Sequence, residues 1–119
     1  MRLFSRLLHR SAAAASSGWI EAEALSSQLP TTSAPLVIDV RGADEFTGPL
    51  GHIDGARNVP LPELSAHLSA LVGHDRPLLL VCKTDRRSSS AADQLRAAGA
   101  AEVAVLRGGM ERWHALGWS

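Results

Sequence analysis

Two stretches of this chain are apolar without alternation, and they restrict the folds open to it. Pro77-Leu-Leu-Leu-Val81 contains no polar residue, and Leu36-Val-Ile-Asp-Val40 contains only Asp39. A strand with one wet face alternates polar and apolar residues. A strand with no alternation is covered on both faces, as in a parallel sheet between layers of helix. Helical patterns surround the two runs. Glu21 to Gln28 reads as a short helix, and Asp44 to Phe46 as a helical turn broken by Gly48-Pro49 and Gly51. Pro62 to Leu71 reads as a helix, with Leu61, Leu64, Leu68 and Leu71 at spacings of three and four. Ser88 to Ala98 reads as a helix with a serine cap and Gly99 as its stop, and Met110 to Leu116 as the last one. Short strands are expected at Trp19-Ile20, Ala56 to Val59 and Ala101 to Leu106. This alternation predicts an α/β fold with a central, mostly parallel sheet flanked by helices.

In such sheets the functional site lies beyond the carboxyl ends of the strands. The second apolar run ends at Cys82, the single cysteine of the chain, and the hexad Cys82-Lys-Thr-Asp-Arg-Arg87 leads into Ser88-Ser-Ser-Ala-Ala. That order is strand, basic loop, helix start. Backbone N–H groups at a helix N-terminus and adjacent cations both favour a thiolate, the reactive form of cysteine. Most lone cysteines are buried and inert. The flanking Lys83, Arg86 and Arg87 argue for the reactive kind. Asp39 to Arg41 and Arg107 to Gly109 are expected at neighbouring strand ends.

The rest of the composition narrows the classes. The chain has 119 residues, 45% hydrophobic and 20% charged, which suits one soluble domain with a real core. Formal net charge is zero, which argues against nucleic acid as the main partner. One cysteine forms no internal disulfide, and His9, His52, His67, His74 and His114 show no metal-ligand spacing. Neither a metal nor a cofactor is expected. No apolar stretch approaches the roughly 18–20 residues of a transmembrane helix.

Residues 1–17 stand apart as a basic, flexible tail before a folded domain at 18–119. Arg2, Arg6 and Arg10 fall at helical spacing with no acid among them, and Leu3, Phe4, Leu7 and Leu8 lie largely opposite. The pattern fits contact with a membrane surface, or a mitochondrial targeting segment, or an inert tail. With no secretory signal, the expected compartment is the cytoplasm, with the mitochondrion as the alternative.

Four motifs in order resemble the single-domain rhodanese-like sulfurtransferases. They are Val37-Ile-Asp-Val-Arg41 followed by Glu45-Phe46, Gly51-His-Ile-Asp-Gly-Ala-Arg-Asn-Val-Pro60, Cys82 to Ser88 with Ala91, Ala92 and Leu95, and Gly99 through Val103–Leu106, Gly108-Gly109, Trp113 and Gly117. The resemblance covers residues 19–119. It implies a three-layer α/β fold and a persulfide on Cys82. The sulfur would come from a small anionic donor such as thiosulfate. It would pass to cyanide, a thiol or a thiol-carrying protein.

Within that frame Cys82 is the nucleophile. Lys83, Thr84, Asp85, Arg86 and Arg87 form the binding loop, their backbone N–H groups facing the persulfide. Lys83 and Arg86 are expected to attract the donor, and Arg87 to close the loop through its carbonyls or Glu45. Asp39, Arg41, Glu45, His52, Ser88, Gly108 and Gly109 are expected in supporting roles. Arg41 is assigned to Glu45, His52 to a turn-stabilising hydrogen bond, and Gly108-Gly109 to a close backbone passage beside the loop. The related dual-specificity phosphatases and arsenate reductases use a loop one residue longer, which disfavours oxyanion chemistry here. The fourth loop position, commonly glycine in this family, is Asp85. Aspartate tolerates unusual backbone angles less well than glycine, and its charge opposes thiolate formation. A binding or sulfur-carrier module without turnover is the alternative reading.

Overall fold

The computed structural model describes residues 18–118. The tail expected at residues 1–17 lies outside them. Five strands form one sheet: β1 (Trp19–Ile20), β2 (Leu36–Asp39), β3 (Arg57–Asn58), β4 (Leu78–Val81) and β5 (Val103–Leu106). Their order is β1-β5-β4-β2-β3, and every pairing is parallel. The central strand β4 pairs Leu80 with Ile38 on one side and with Val105 on the other. All four residues of β2 and of β4 are buried, as their lack of alternation requires.

Successive side chains of these strands point into two different cores. Leu36, Ile38, Leu78, Leu80, Val103 and Val105 pack with Leu64, Leu71, Ala91, Ala92 and Leu95. Val37, Leu79, Val81 and Leu106 pack on the other side with Leu25, Met110 and Trp113. Helix α4 (Arg86–Ala97) and the segment 61–72 cover the first face; α1 (Ala22–Gln28) and α5 (Gly109–Ala115) cover the second. The result is three layers around two apolar seams.

Some element boundaries differ from the sequence expectation. The stretch read as one helix from Pro62 begins as a 3-10 helix, Leu61–His67, and becomes α-helical only in α3 (Leu68–Val72). A 3-10 helix repeats every three residues, so Leu61 and Leu64 share a face there, as Leu68 and Leu71 nearly do after it. Helix α4 starts at Arg86, two residues earlier than expected, and Ser88 does not cap it. Asp85 holds the cap position, while Ser88 is turned inward and fully buried. Strand β5 starts at Val103 because sheet pairing begins there, opposite Leu78. The short helix α2 (Ala43–Phe46) is entered through Gly42, whose N–H donates to the Glu45 carboxylate at 3.1 Å.

After β2 the chain moves outward to β3, and after β4 it moves the opposite way to β5. The crevice between the carboxyl ends of β2 and β4 is therefore the switch point of the sheet, where ligands bind in open parallel sheets. Leu80 is fully buried on the strand that carries the chain to this point. Leu80→Ala is expected to destabilise the fold by about 2–5 kcal/mol, measured by denaturant unfolding, through lost apolar contact and an unfilled cavity.

Candidate active site at the β4–α4 loop

Cys82 continues β4 by one residue, and its side chain follows Leu78 and Leu80 onto the α4 face. It is 2% exposed. The Ser88 N–H donates to Sγ at 3.3 Å, and the Ser88 hydroxyl lies 3.2 Å from it. The same hydroxyl reaches the Asp85 carbonyl at 3.2 Å. The thiol thus sits under the N-terminus of a twelve-residue helix, where aligned peptide dipoles favour negative charge.

The loop owes its shape to the start of α5. The Cys82 carbonyl accepts from the Met110 N–H at 2.9 Å, and the Lys83 carbonyl accepts from the Glu111 N–H at 3.0 Å. Gly109 has φ +55°, and a side chain there would lie 2.5 Å from the Thr84 carbonyl and 2.6 Å from that of Lys83. Three successive carbonyls thus turn toward Gly109, and only glycine leaves them room. Their peptide N–H groups face the other way. Among the described residues, the backbone N–H groups of Lys83 to Arg87 donate to no acceptor. Successive free amides in such a loop can line an anion-binding concavity.

The loop cations have different fates. Arg87 makes a two-pronged pair with Glu45, at 2.7 and 3.0 Å. Lys83 and Glu111 approach to 3.7 Å as an exposed pair. Arg86 is exposed and has no side-chain partner among the described residues. Thr84 is exposed. Asp85 has φ −134° and ψ −20°, so the unusual backbone angles considered for this position are absent. Its Oδ1 accepts from the Gly108 N–H at 3.0 Å.

The assignment of Arg41 to Glu45 is corrected by the geometry. The Arg41 guanidinium pairs with Asp39, at 2.9 Å to Oδ1 and 2.8 Å to Oδ2, and both side chains are 1% exposed. Arg41 reaches Glu45 only at its carbonyl, 3.1 Å, and also donates to the Gly51 carbonyl at 2.8 Å. The Glu45 carboxylate is thereby free for Arg87. His52 shares a 2.8 Å hydrogen bond with the Phe46 carbonyl through Nδ1 and stacks on the Phe46 ring, centroids 3.7 Å apart. It lies in the turn that Arg41 braces. Asn58 is a supporting residue that the sequence did not single out. Its amide donates to the Asp39 and Arg41 carbonyls, at 3.0 and 2.8 Å. Nothing in the local sequence marks an asparagine at a strand end for those two carbonyls.

Among the described residues, no three His, Cys, Asp or Glu side chains are grouped to hold a metal ion. No helix there is long and apolar enough to cross a membrane. A groove of about 700 Å³ lies elsewhere, lined by Leu29, Pro35, His52, Arg76, Trp113 and Trp118 among others, and it includes no residue of the loop.

Glu45 reports on the loop closure. Its hydrogen bonds to Arg87 hold its pKa down, from 4.5 to about 2, against the opposing effect of burial. A carboxyl with a folded pKa below its unfolded value adds stability in full above the unfolded value. That increment is lost as pH falls through the folded one. The Glu45 contribution should therefore be complete at pH 7 and fade between pH 4.5 and about 2. Glu45→Gln should flatten the stability profile across that window, as read by thermal melts from pH 7 to pH 2.5.

Comparison with known proteins follows the same outline. The family model of the rhodanese-like domain matches residues 21–116. The uncharacterized protein YqhL of Bacillus subtilis is 43% identical over 77 residues, covering 65% of this chain and 59% of YqhL; the chain thus spans under two thirds of that relative. The thiosulfate sulfurtransferase GlpE of Shewanella oneidensis is 36% identical over 87 residues, covering 73% of this chain and 83% of GlpE. Among solved structures, the rhodanese-like domain of Anabaena Alr3790 superposes with a TM-score of 0.73 at 31% identity, over 84% of this chain and 75% of that one. A Pseudomonas aeruginosa thiosulfate sulfurtransferase gives 0.73 at 26% identity, over 85% of this chain and 19% of that one. By sequence and by fold, the chain belongs to the rhodanese-like domain family.

Proposed function

We propose that this chain is a sulfurtransferase that carries sulfur as a persulfide on Cys82. The observation that supports this most directly is the sulfur's setting. Sγ receives the Ser88 N–H, and the loop between them carries backbone N–H groups that donate to no acceptor among the described residues. Thiosulfate fits the charge of that setting. The Cys82 thiolate attacks the outer sulfur of thiosulfate. The new S–S bond forms as the bond to the sulfonate breaks, and sulfite leaves with the electron pair. The product is Cys82–S–S⁻, and the free N–H groups of Lys83 to Arg87 stabilise its charge. The added sulfur lies about 2.05 Å beyond Sγ, which extends the reactive atom away from the buried thiol. Cyanide then attacks that outer sulfur, thiocyanate leaves, and the thiolate is restored. A thiol acceptor, free or on a protein, reacts at the same atom. No metal or cofactor enters these steps.

Arg86 is the cation best able to draw in an anionic donor, since Arg87 is tied to Glu45 and Lys83 lies beside Glu111. The name of the Shewanella oneidensis relative supports thiosulfate as the donor class. Loop length also supports sulfur over a tetrahedral oxyanion as the bound group.

Intact mass spectrometry after thiosulfate treatment tests the reading. A gain of one sulfur, reversed by cyanide, is expected. A mass that does not change would leave only the binding-module reading. Cys82→Ser should fold and show no transfer, because serine forms no persulfide. Thiosulfate should be used in preference to 3-mercaptopyruvate, which needs a carboxylate clamp for which no pattern is seen. Arg86→Ala should raise the KM for thiosulfate about two- to fivefold with kcat nearly unchanged, as for loss of one exposed charge. Added salt should shrink that difference by screening.

A further inference from the structure

Asp85 occupies the cap position of α4 without capping it. An aspartate there ordinarily accepts an N–H from the second or third residue of its own helix. In this loop those residues are Arg87 and Ser88. The Ser88 N–H is the group that donates to Cys82 Sγ, and the Arg87 N–H is one of the loop amides that donate to no acceptor among the described residues. A capping carboxylate would take the donors that the sulfur needs and place a negative charge beside it. Instead, Oδ1 of Asp85 crosses to the Gly108 N–H. That bond adds a third rung to the two that join the loop to α5, from Met110 to the Cys82 carbonyl and from Glu111 to the Lys83 carbonyl.

We propose that Asp85 is a positioning residue of this site. It latches the β4–α4 loop to the β5–α5 turn through the Gly108 N–H. The latch keeps its carboxylate out of the α4 cap and leaves the Arg87 and Ser88 N–H groups to the sulfur. The kinetic part of this proposal rests on the sulfurtransferase reading; the geometric part does not. Asp85→Asn removes the charge and keeps an acceptor for Gly108. Asp85→Ala and Asp85→Gly remove both, and glycine is the residue common at this position in the family. Variants without charge but with and without the latch therefore separate the two effects.

Three readouts on the full chain test it. Amide hydrogen exchange at Gly108 should speed up about three- to tenfold in the Ala and Gly variants, the scale of one lost hydrogen bond, and stay near wild type in the Asn variant. Alkylation of Cys82 by iodoacetamide at pH 7 should be several-fold slower with Ala or Gly than with Asn. In thiosulfate:cyanide assays, Ala and Gly should lower kcat about three- to tenfold with KM within about twofold, and Asn should recover most of kcat. Equal Gly108 exchange in all variants, or Asn behaving as Ala does in alkylation and turnover, would overturn the latch. If wild type forms no persulfide, the sulfurtransferase reading fails, while exchange and alkylation still decide the role of Asp85. If Asp85→Ala does not fold, Asp85→Gly carries the comparison.

Discussion

Three carbonyls turned toward one glycine set the shape of the loop that follows Cys82. Those of Cys82, Lys83 and Thr84 crowd the space where a Gly109 side chain would stand, and two of them accept from the first amides of α5. A peptide plane is rigid, so a carbonyl directed one way sends the neighbouring N–H the other way. The α5 start thus aims the N–H groups of Lys83, Thr84 and Asp85 away from itself, and they donate to no acceptor among the described residues. A free loop of this composition would have no such preference. The positive φ of Gly109 is needed because the chain must reach the loop within hydrogen-bond distance.

A second set of contacts braces the loop from the β2 side. The buried Asp39–Arg41 pair is satisfied on nearly every polar atom, with the Arg41 N–H, the Glu45 and Gly51 carbonyls and the Asn58 amide gathered around it. Burying an ion pair is costly unless its hydrogen bonds are made, and removing one partner costs about 3–5 kcal/mol. The pair therefore serves order more than net stability. It holds the segment from Gly42 to Gly51 in one arrangement and presents the Glu45 carboxylate to Arg87. The loop is thus held from two sides, through Arg87 to α2 and through Asp85, Cys82 and Lys83 to the start of α5.

This division leaves one of the three loop cations, Arg86, without a side-chain partner among the described residues. Arg87 is committed to closing the loop, and Lys83 has an acid nearby. Much of the stabilisation of bound sulfur in the proposed reaction then comes from backbone dipoles, which are fixed by the fold and change little with salt. In the same proposal, the exposed arginine at the head of α4 is the group that draws the anion in.

Much of the fold was legible in the amino-acid sequence. Runs without alternation marked β2 and β4 as buried on both faces, and the order of patterns placed Cys82 at a strand end before a helix. Periodicity reports which face a side chain takes, so the layers followed from it. It does not report which distant group that side chain meets. Arg41 was assigned to Glu45, yet the guanidinium folds back on Asp39. Arg87 takes the Glu45 carboxylate from 42 positions away, one of the two closures that the family resemblance implied for it. Asp85 carried a suspicion of strain and of unhelpful charge, and its bond to Gly108, 23 positions on, was invisible. The sequence by itself determined the layers, the strand ends and the residue types around the sulfur. Tertiary structure decided most of the partners, because the parallel crossovers bring β2, β4 and β5 side by side from distant stretches of the chain.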